Sequence, residues 1–439
     1  MGYVKALKCK ECGREYNILP VHVCEFCFGA LDIVYDYEEI RNVFTKDSLA
    51  ARPKSMWRYK ELLPLDGEPS CGLEVGFTPL VRARRLEKFL GVKELYIKND
   101  AVNYPTLSFK DRVVAVAISK AKEFGYDTVA CASTGNLANS LAALSSSCGL
   151  KSYIFVPWDL EQGKILGTII YGSHLVGIKG NYDQVNRLCS EIAENYNWAF
   201  VNINLRPFYA EGSKTYAFEI AEQLNFKVPD NIVVPMGGGS LITKVWKGLK
   251  ELELLGFIDG LRTRVHGAQP KGSNPIVSAF KENLERVKPV KPRTIAKSLA
   301  IGNPADGIYA LRCIRDSGGY AEDVEDEEIV DAIKLLAREE GIFTEPAGGV
   351  TLAATIKLLK KGIIGADESV LVCITGNGLK TQEVINDKAK EILLIDPTLN
   401  DFENLIKEEG GPHGQYQDTR ATKKAHWWEE HSTGGCAQR

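Results

Sequence analysis

At 439 residues the chain is too long for one small core, so two or more domains are expected, and its composition is ordinary for a soluble globular protein. A formal net charge of −3 gives no electrostatic reason to expect nucleic acid or an anionic membrane surface as a partner. No apolar run approaches the roughly twenty residues a spanning helix needs, and Met1 to Lys10 lacks the apolar centre of a signal peptide, so a cytoplasmic placement is expected.

Residues 1–35 are too few to build a core alone. They carry Cys9, Cys12, Cys24 and Cys27, two C-x-x-C knuckles separated by eleven residues. Four thiolates so spaced can close tetrahedrally on zinc and supply the stability that a module of this size lacks. Two disulfides or four free thiols are the alternatives, and a zinc-ribbon-like module is the favoured reading. Tyr16, Phe26, Phe28, Leu31 and Ile33 would complete the ribbon, with His22 a bystander because four sulfurs already fill the coordination. The basic residues Lys5, Lys8, Lys10 and Arg14 are offset by the acidic run at 36–39, which favours packing on the rest of the protein over a grip on nucleic acid. Among the scattered cysteines, Cys131, Cys189 and Cys373 lie in apolar settings that suit reduced, buried thiols.

Residues 36–77 show little regular pattern and are expected to form an arm that packs on the body. From Thr78 the pattern alternates. Strands are predicted at 94–98, 128–133, 152–157, 174–179, 199–204, 231–236, 264–269 and 369–375, with helices at 108–124, 136–148, 162–171, 182–195, 212–224 and 240–254. Further helices are predicted at 305–316, 326–340 and 347–361. This is βαβ repetition, so an α/β body over 78–395 with largely parallel sheets is expected, its ligands at the C-terminal ends of the strands. Residues 396–439 are expected to be a largely disordered extension without chemistry.

Four loops carry candidate chemistry. Ser108-Phe109-Lys110-Asp111-Arg112 opens a helix, and the positive end of a helix dipole disfavours an ammonium ion and favours a nucleophilic amine at Lys110. The plainer alternative is a surface lysine beside Asp111. Ser133-Thr134-Gly135-Asn136 offers hydroxyls and N–H groups that suit a carboxylate, or simply caps a helix. Gly237-Gly238-Gly239-Ser240 can close backbone N–H groups around a phosphate at a helix start, or merely turn a corner. Thr375 ends the last strand with a hydroxyl. A nucleophilic lysine, a phosphate cradle and two polar turns are what a pyridoxal phosphate enzyme needs.

In this order the loops resemble the threonine synthases of the fold-type II (tryptophan-synthase-β-like) pyridoxal phosphate family. The resemblance runs from about Gly76 to Val384 and is carried by Pro105 to Arg112, Ala132 to Asn136, Glu211-Gly212-Ser213-Lys214-Thr215, Ile301-Gly302-Asn303-Pro304, Glu345-Pro346-Ala347-Gly348-Gly349 and Thr375-Gly376-Asn377-Gly378. It implies two open, mostly parallel sheet domains, the smaller roughly 108–200, and a homodimer. It implies Lys110 as the Schiff-base lysine, Asn136 as the amide facing the cofactor's phenolic oxygen, Gly237, Gly238, Gly239 and Ser240 as the cofactor-phosphate loop, and Thr375 facing the pyridine nitrogen. Ser133 and Thr134 would hold the substrate carboxylate.

Many relatives have glycine where this chain has Leu107, and arginine where it has Tyr209, which leaves Arg206 and Lys214 as candidates for the substrate phosphate. Lys214 pairing only with Glu211 or Glu219 is the competing reading. The implied reaction converts O-phospho-L-homoserine and water to L-threonine and phosphate. The alternatives are a serine or threonine dehydratase, a phosphoserine-dependent cysteate or cysteine synthase on the same fold, and a catalytically dead zinc-ribbon scaffold.

Overall fold

The computed structural model describes residues 2–133, 135–158, 162–180, 182–385 and 394–408. Residues 2–384 belong to one unit, and residues 394–408 to a second that is described by itself.

Three sheets are formed by the described residues. The first is antiparallel, in the order β2-β1-β3, from β1 (Val4–Cys9), β2 (Glu15–Tyr16) and β3 (Leu31–Tyr35). Its alternating Leu31, Ile33 and Tyr35 face inward. The arm that follows is more ordered than its sequence suggests, with helices Tyr37–Val43 and Lys46–Ala50 and a 3₁₀ segment Met56–Leu62. These helices are too short for periodicity to reveal; they form because Asp36 and Thr45 cap them and because Phe44 and Tyr59 pack on Phe257 and Phe218.

The largest sheet runs β12-β11-β10-β13-β5-β4. Its members are β4 (Leu80–Arg82), β5 (Glu94–Asn99), β10 (Asn231–Pro235), β11 (Arg264–Pro270), β12 (Ala321–Val324) and β13 (Ser369–Ile374), parallel except for β4 against β5. Val370 to Ile374 are buried, as a strand flanked on both sides requires. The third sheet is parallel in the order β8-β7-β6-β9, from β6 (Thr128–Ala132), β7 (Lys151–Pro157), β8 (His174–Ile178) and β9 (Ala199–Phe200).

Several expected elements differ. The strand expected at 199–204 stops after Phe200, whose N–H is taken by the Asn204 side chain at 2.9 Å rather than by a neighbouring strand. The helix expected at 212–224 is Lys214–Gln223, and a short helix that was not expected, Arg206–Glu211, precedes it. Gly212 sits at the break because a Cβ there would lie 2.7 Å from the Arg112 carbonyl oxygen, so the helix bearing Lys110 can approach only a glycine. The extension expected to be largely disordered contains the helix Leu399–Glu408. Leu399, Phe402 and Ile406 recur at helical spacing, and the Thr398 hydroxyl accepts from the Asp401 N–H at 3.2 Å as a cap. Thr134 and the remainder of that extension, 409–439, lie outside the described residues.

Cys131, Cys189 and Cys373 are buried free thiols, as expected. Cys71 and Cys148, unremarked in the sequence, form a disulfide between the arm and the end of the helix Asn136–Ser147. No helix of the described residues is long and apolar enough to cross a membrane.

Candidate active site

Lys110 is the first residue of the helix Lys110–Glu123 and is half-buried. The turn before it is locked to the loop after β13: the Phe109 N–H donates to the Thr375 carbonyl at 2.9 Å and the Asn377 N–H to the Leu107 carbonyl at 3.1 Å. Leu107 makes this turn at φ +58°, a left-handed conformation that explains why glycine suits the position. Asp111 turns inward and accepts from the Thr106 N–H at 3.0 Å and hydroxyl at 2.7 Å. It is therefore no surface partner for Lys110. The Lys110 ammonium nitrogen instead meets the Tyr209 hydroxyl at 3.1 Å.

Below this turn lies a charged core. Arg112 is wholly buried, with Nε 2.7 Å from Asp100 and Nη2 2.8 Å from Glu219, while Lys98 meets the same Glu219 at 2.7 Å. Burial alone would raise the Glu219 pKa, but Arg112 and Lys98 outweigh it and hold the carboxylate down to about 2. The end of β5, the Lys110 helix and the helix Lys214–Gln223 are fixed to one another through this cluster.

Asn136 begins the helix Asn136–Ser147, and its amide donates to Glu345 Oε2 at 2.8 Å. The Thr375 hydroxyl lies 3.4 Å from the other oxygen of the same carboxylate. Glu345 is buried, which pushes its carboxyl above the ordinary range against the opposing pull of the Asn136 amide and of Lys380 and Lys110. In the sequence Glu345 only opens the motif 345–349, with no role assigned to it. Ser133 is half-buried, its hydroxyl 3.4 Å from the Gly135 N–H.

The loop Gly237-Gly238-Gly239 connects β10 to the helix Ser240–Leu254. Gly239 takes φ +91°, and a Cβ there would lie 2.9 Å from the Asp306 carbonyl oxygen. Gly238 faces open space, where a Cβ would find only Ile301 at 3.8 Å. The N–H groups of these three glycines donate to no backbone carbonyl among the described residues, which suits a phosphate. The Ser108 hydroxyl, two positions before Lys110, is likewise buried without a hydrogen-bond partner among the described residues. An amine, a cradle of N–H groups and an orphaned hydroxyl together fit pyridoxal phosphate.

A short path of contacts joins this loop to Lys110. The Gly238 carbonyl accepts from the Asp306 N–H at 2.9 Å, Asp306 holds Arg206 at 2.8 Å, and Arg206 lies one turn before Tyr209. Lys214, expected with Arg206 to meet a substrate phosphate, does not reach this space. Its ammonium is wholly enclosed between Glu211 at 2.7 Å and Glu251 at 2.9 Å, against the Tyr35 ring. The competing reading of Lys214 as a structural ion-pair lysine is the one the geometry supports.

The four N-terminal cysteines cluster with all sulfurs within 4.8 Å of one another, Cys9 to Cys27 at 3.4 Å and Cys12 to Cys24 at 3.6 Å. The Tyr16 hydroxyl also meets the Cys24 sulfur, at 3.0 Å. The module packs on the body, where Lys247 meets Asp32 at 3.0 Å and the Tyr35 hydroxyl donates to Glu211 at 2.8 Å.

The family model described as "Pyridoxal-phosphate dependent enzyme" matches residues 72–376, and one described as "NinF protein" matches residues 8–31. The threonine synthase of Methanocaldococcus jannaschii is 43% identical over 91% of this chain and 99% of its own length. That of Methanosarcina acetivorans is 40% identical over 91% of this chain and 98% of its own. Among solved structures, threonine deaminase isoform 2 from Solanum lycopersicum superposes with a TM-score of 0.61 at 22% identity, covering 84% of this chain and 90% of that one. Maize serine racemase gives 0.60 at 21% identity, over 72% and 92%. These two establish the fold alone. With the amine, the cradle and the polar turns held in one α/β body, the chain belongs to the pyridoxal-phosphate dependent enzyme family, on its threonine synthase branch.

Proposed function

We propose that the chain converts O-phospho-L-homoserine and water to L-threonine and phosphate, with pyridoxal phosphate on Lys110. The observation that carries the reading is the hydrogen-bonded lock between Phe109 and Thr375, which ties the turn bearing Lys110 to the residue that follows the last strand in a chain so similar to threonine synthases. When bound, the cofactor supplies an electron sink that acidifies the substrate's Cα hydrogen. With the cofactor bound, Lys110 would move protons at the substrate's Cα and then along its side chain. Gly237, Gly238, Gly239 and Ser240 hold the cofactor phosphate, and Asn136 donates to the phenolic oxygen. Thr375 offers the ring nitrogen a neutral hydroxyl, a weaker proton partner than a carboxylate. Ser133 and Thr134 orient the substrate carboxylate, and Arg206 is the remaining candidate for its phosphate.

Phosphate release from O-phosphohomoserine, compared with O-phosphoserine, tests the substrate; release from only the latter would refute it. Borohydride reduction followed by peptide mass analysis tests Lys110.

Zinc in the four-cysteine cluster belongs to the same reading. An ideal tetrahedron of Zn–S bonds places sulfurs about 3.8 Å apart, close to the separations found here. A homodimer and a cytoplasmic location complete the proposal, the former supported by the family resemblance and checked by light scattering.

A further inference from the structure

We propose that Tyr209 is a positioning residue for Lys110, holding the freed amine where it can take a proton from the leaving-group side of the substrate. The inference rests on Lys110 being the cofactor lysine. Its hydroxyl lies 3.1 Å from the Lys110 nitrogen and its ring centroid 5.6 Å away. Among the described residues it is the amine's hydrogen-bond partner. A phenol both donates and accepts, so it can hold the amine in either protonation state: it donates to the free amine and accepts from the ammonium. An arginine has no acceptor and cannot do so.

The two side chains differ in freedom. Lys110 is a flexible four-carbon stem, whereas Tyr209 is buried on a short helix clamped at both ends. At one end Arg206 pairs with Asp306 at 2.8 Å; at the other Glu211 is ringed by Lys214, Lys244 and Lys247. Burial alone would raise the Glu211 pKa, but those three lysines hold it down to about 2 and so keep the clamp ionised. Arg206 and Tyr209 stand three residues apart and share a helix face, so Tyr209 draws the amine toward the side on which Arg206 would meet the phosphate. In the elimination the amine lone pair takes the Cβ proton and becomes an ammonium, one N–H of which Tyr209 accepts. The C–H electron pair forms the Cβ–Cγ double bond while the Cγ–O pair leaves with the phosphate. No other reactant is required.

The test compares wild-type holoenzyme with Tyr209→Phe, Tyr209→His and Tyr209→Arg on O-phosphohomoserine in deuterated water. Tyr209→Phe should keep the borohydride-fixed adduct on Lys110 and a KM within about twofold, while kcat for phosphate release falls about 10- to 100-fold, the scale of lost orientation. Deuterium exchange at Cα should fall far less. Tyr209→His, which restores a neutral donor and acceptor, should recover part of kcat; Tyr209→Arg should not. Equal loss of exchange and release, unchanged kcat in Tyr209→Phe, or loss of cofactor as the sole defect would each overturn the proposal. A wild-type protein with no adduct at Lys110 would instead overturn the reading beneath it.

Discussion

Arg112 and Glu219 meet in the interior with Nη2 2.8 Å from Oε2 and neither side chain exposed, Arg112 standing two residues beyond Lys110. Removing one partner leaves an uncompensated buried charge. Arg112→Met should therefore lower stability by about 3–5 kcal/mol, measured by chemical denaturation of the apoprotein. A loss below about 1 kcal/mol, within the range of exposed pairs, would contradict this role.

Acid should weaken the fold through the same carboxylates. Glu219 and Glu211 are held down to about 2 in the folded chain, against about 4.3 for an unperturbed glutamate. Because the folded values are the lower ones, their contribution is fully present above the unfolded value and is lost as pH falls toward the folded one. These two groups should make denaturation midpoints drop steeply below about pH 4. A midpoint independent of pH down to 3 would rule these groups out as the cause.

Two adjacent glycines should respond differently to one methyl group. At Gly239, with φ +91° and a carbonyl oxygen 2.9 Å from the new Cβ, alanine should cost stability, by about 1–2 kcal/mol for the backbone alone. At Gly238 the new methyl meets no protein atom closer than 3.8 Å, so only a group bound at this loop would oppose it. Gly238→Ala should leave the apoprotein's stability nearly unchanged and weaken cofactor binding, read by fluorescence titration with pyridoxal phosphate. Equal effects at both positions would remove the loop from the cofactor's phosphate.

The cysteine cluster should bind about one zinc ion per chain, by elemental analysis of protein purified without chelator. Cys24→Ser should lose most of it. Asp32 and Tyr35 of the N-terminal sheet neutralise and cover Lys247 and Glu211, so metal loss should also lower the melting temperature of the body. Metal-free protein that melts with the wild type would separate the two.

Much of the body was legible because strands such as β6, β10 and β13 are mostly apolar and its helices long enough for periodicity to speak. The turn residues Lys110, Asn136, Gly238 and Thr375 stood out because each follows a strand and chemistry there needs specific groups. The arm was illegible because its helices are five to seven residues long and held by distant partners such as Phe257. Lys214 misled because a lysine in a functional-looking motif reads the same whether it faces a cleft or a buried glutamate. Glu345 went unassigned because its significance lies in joining Asn136 and Thr375, residues remote from it and from each other in sequence. Only the fold makes that junction.

Synthesis on the ribosome delivers Lys110 long before Ser369 to Ile374, yet that last strand slots between β10 and β5 and its loop clasps the lysine's turn. Until it emerges, both older strands carry a bare edge, a hazard for sticking to other nascent chains. A polypeptide halted before residue 376 would hold the amine but lack the wall that aims it. With Lys110 as the cofactor lysine, the site would stay unassembled until that strand has been made, and a product cut short before it would carry the amine without its surroundings.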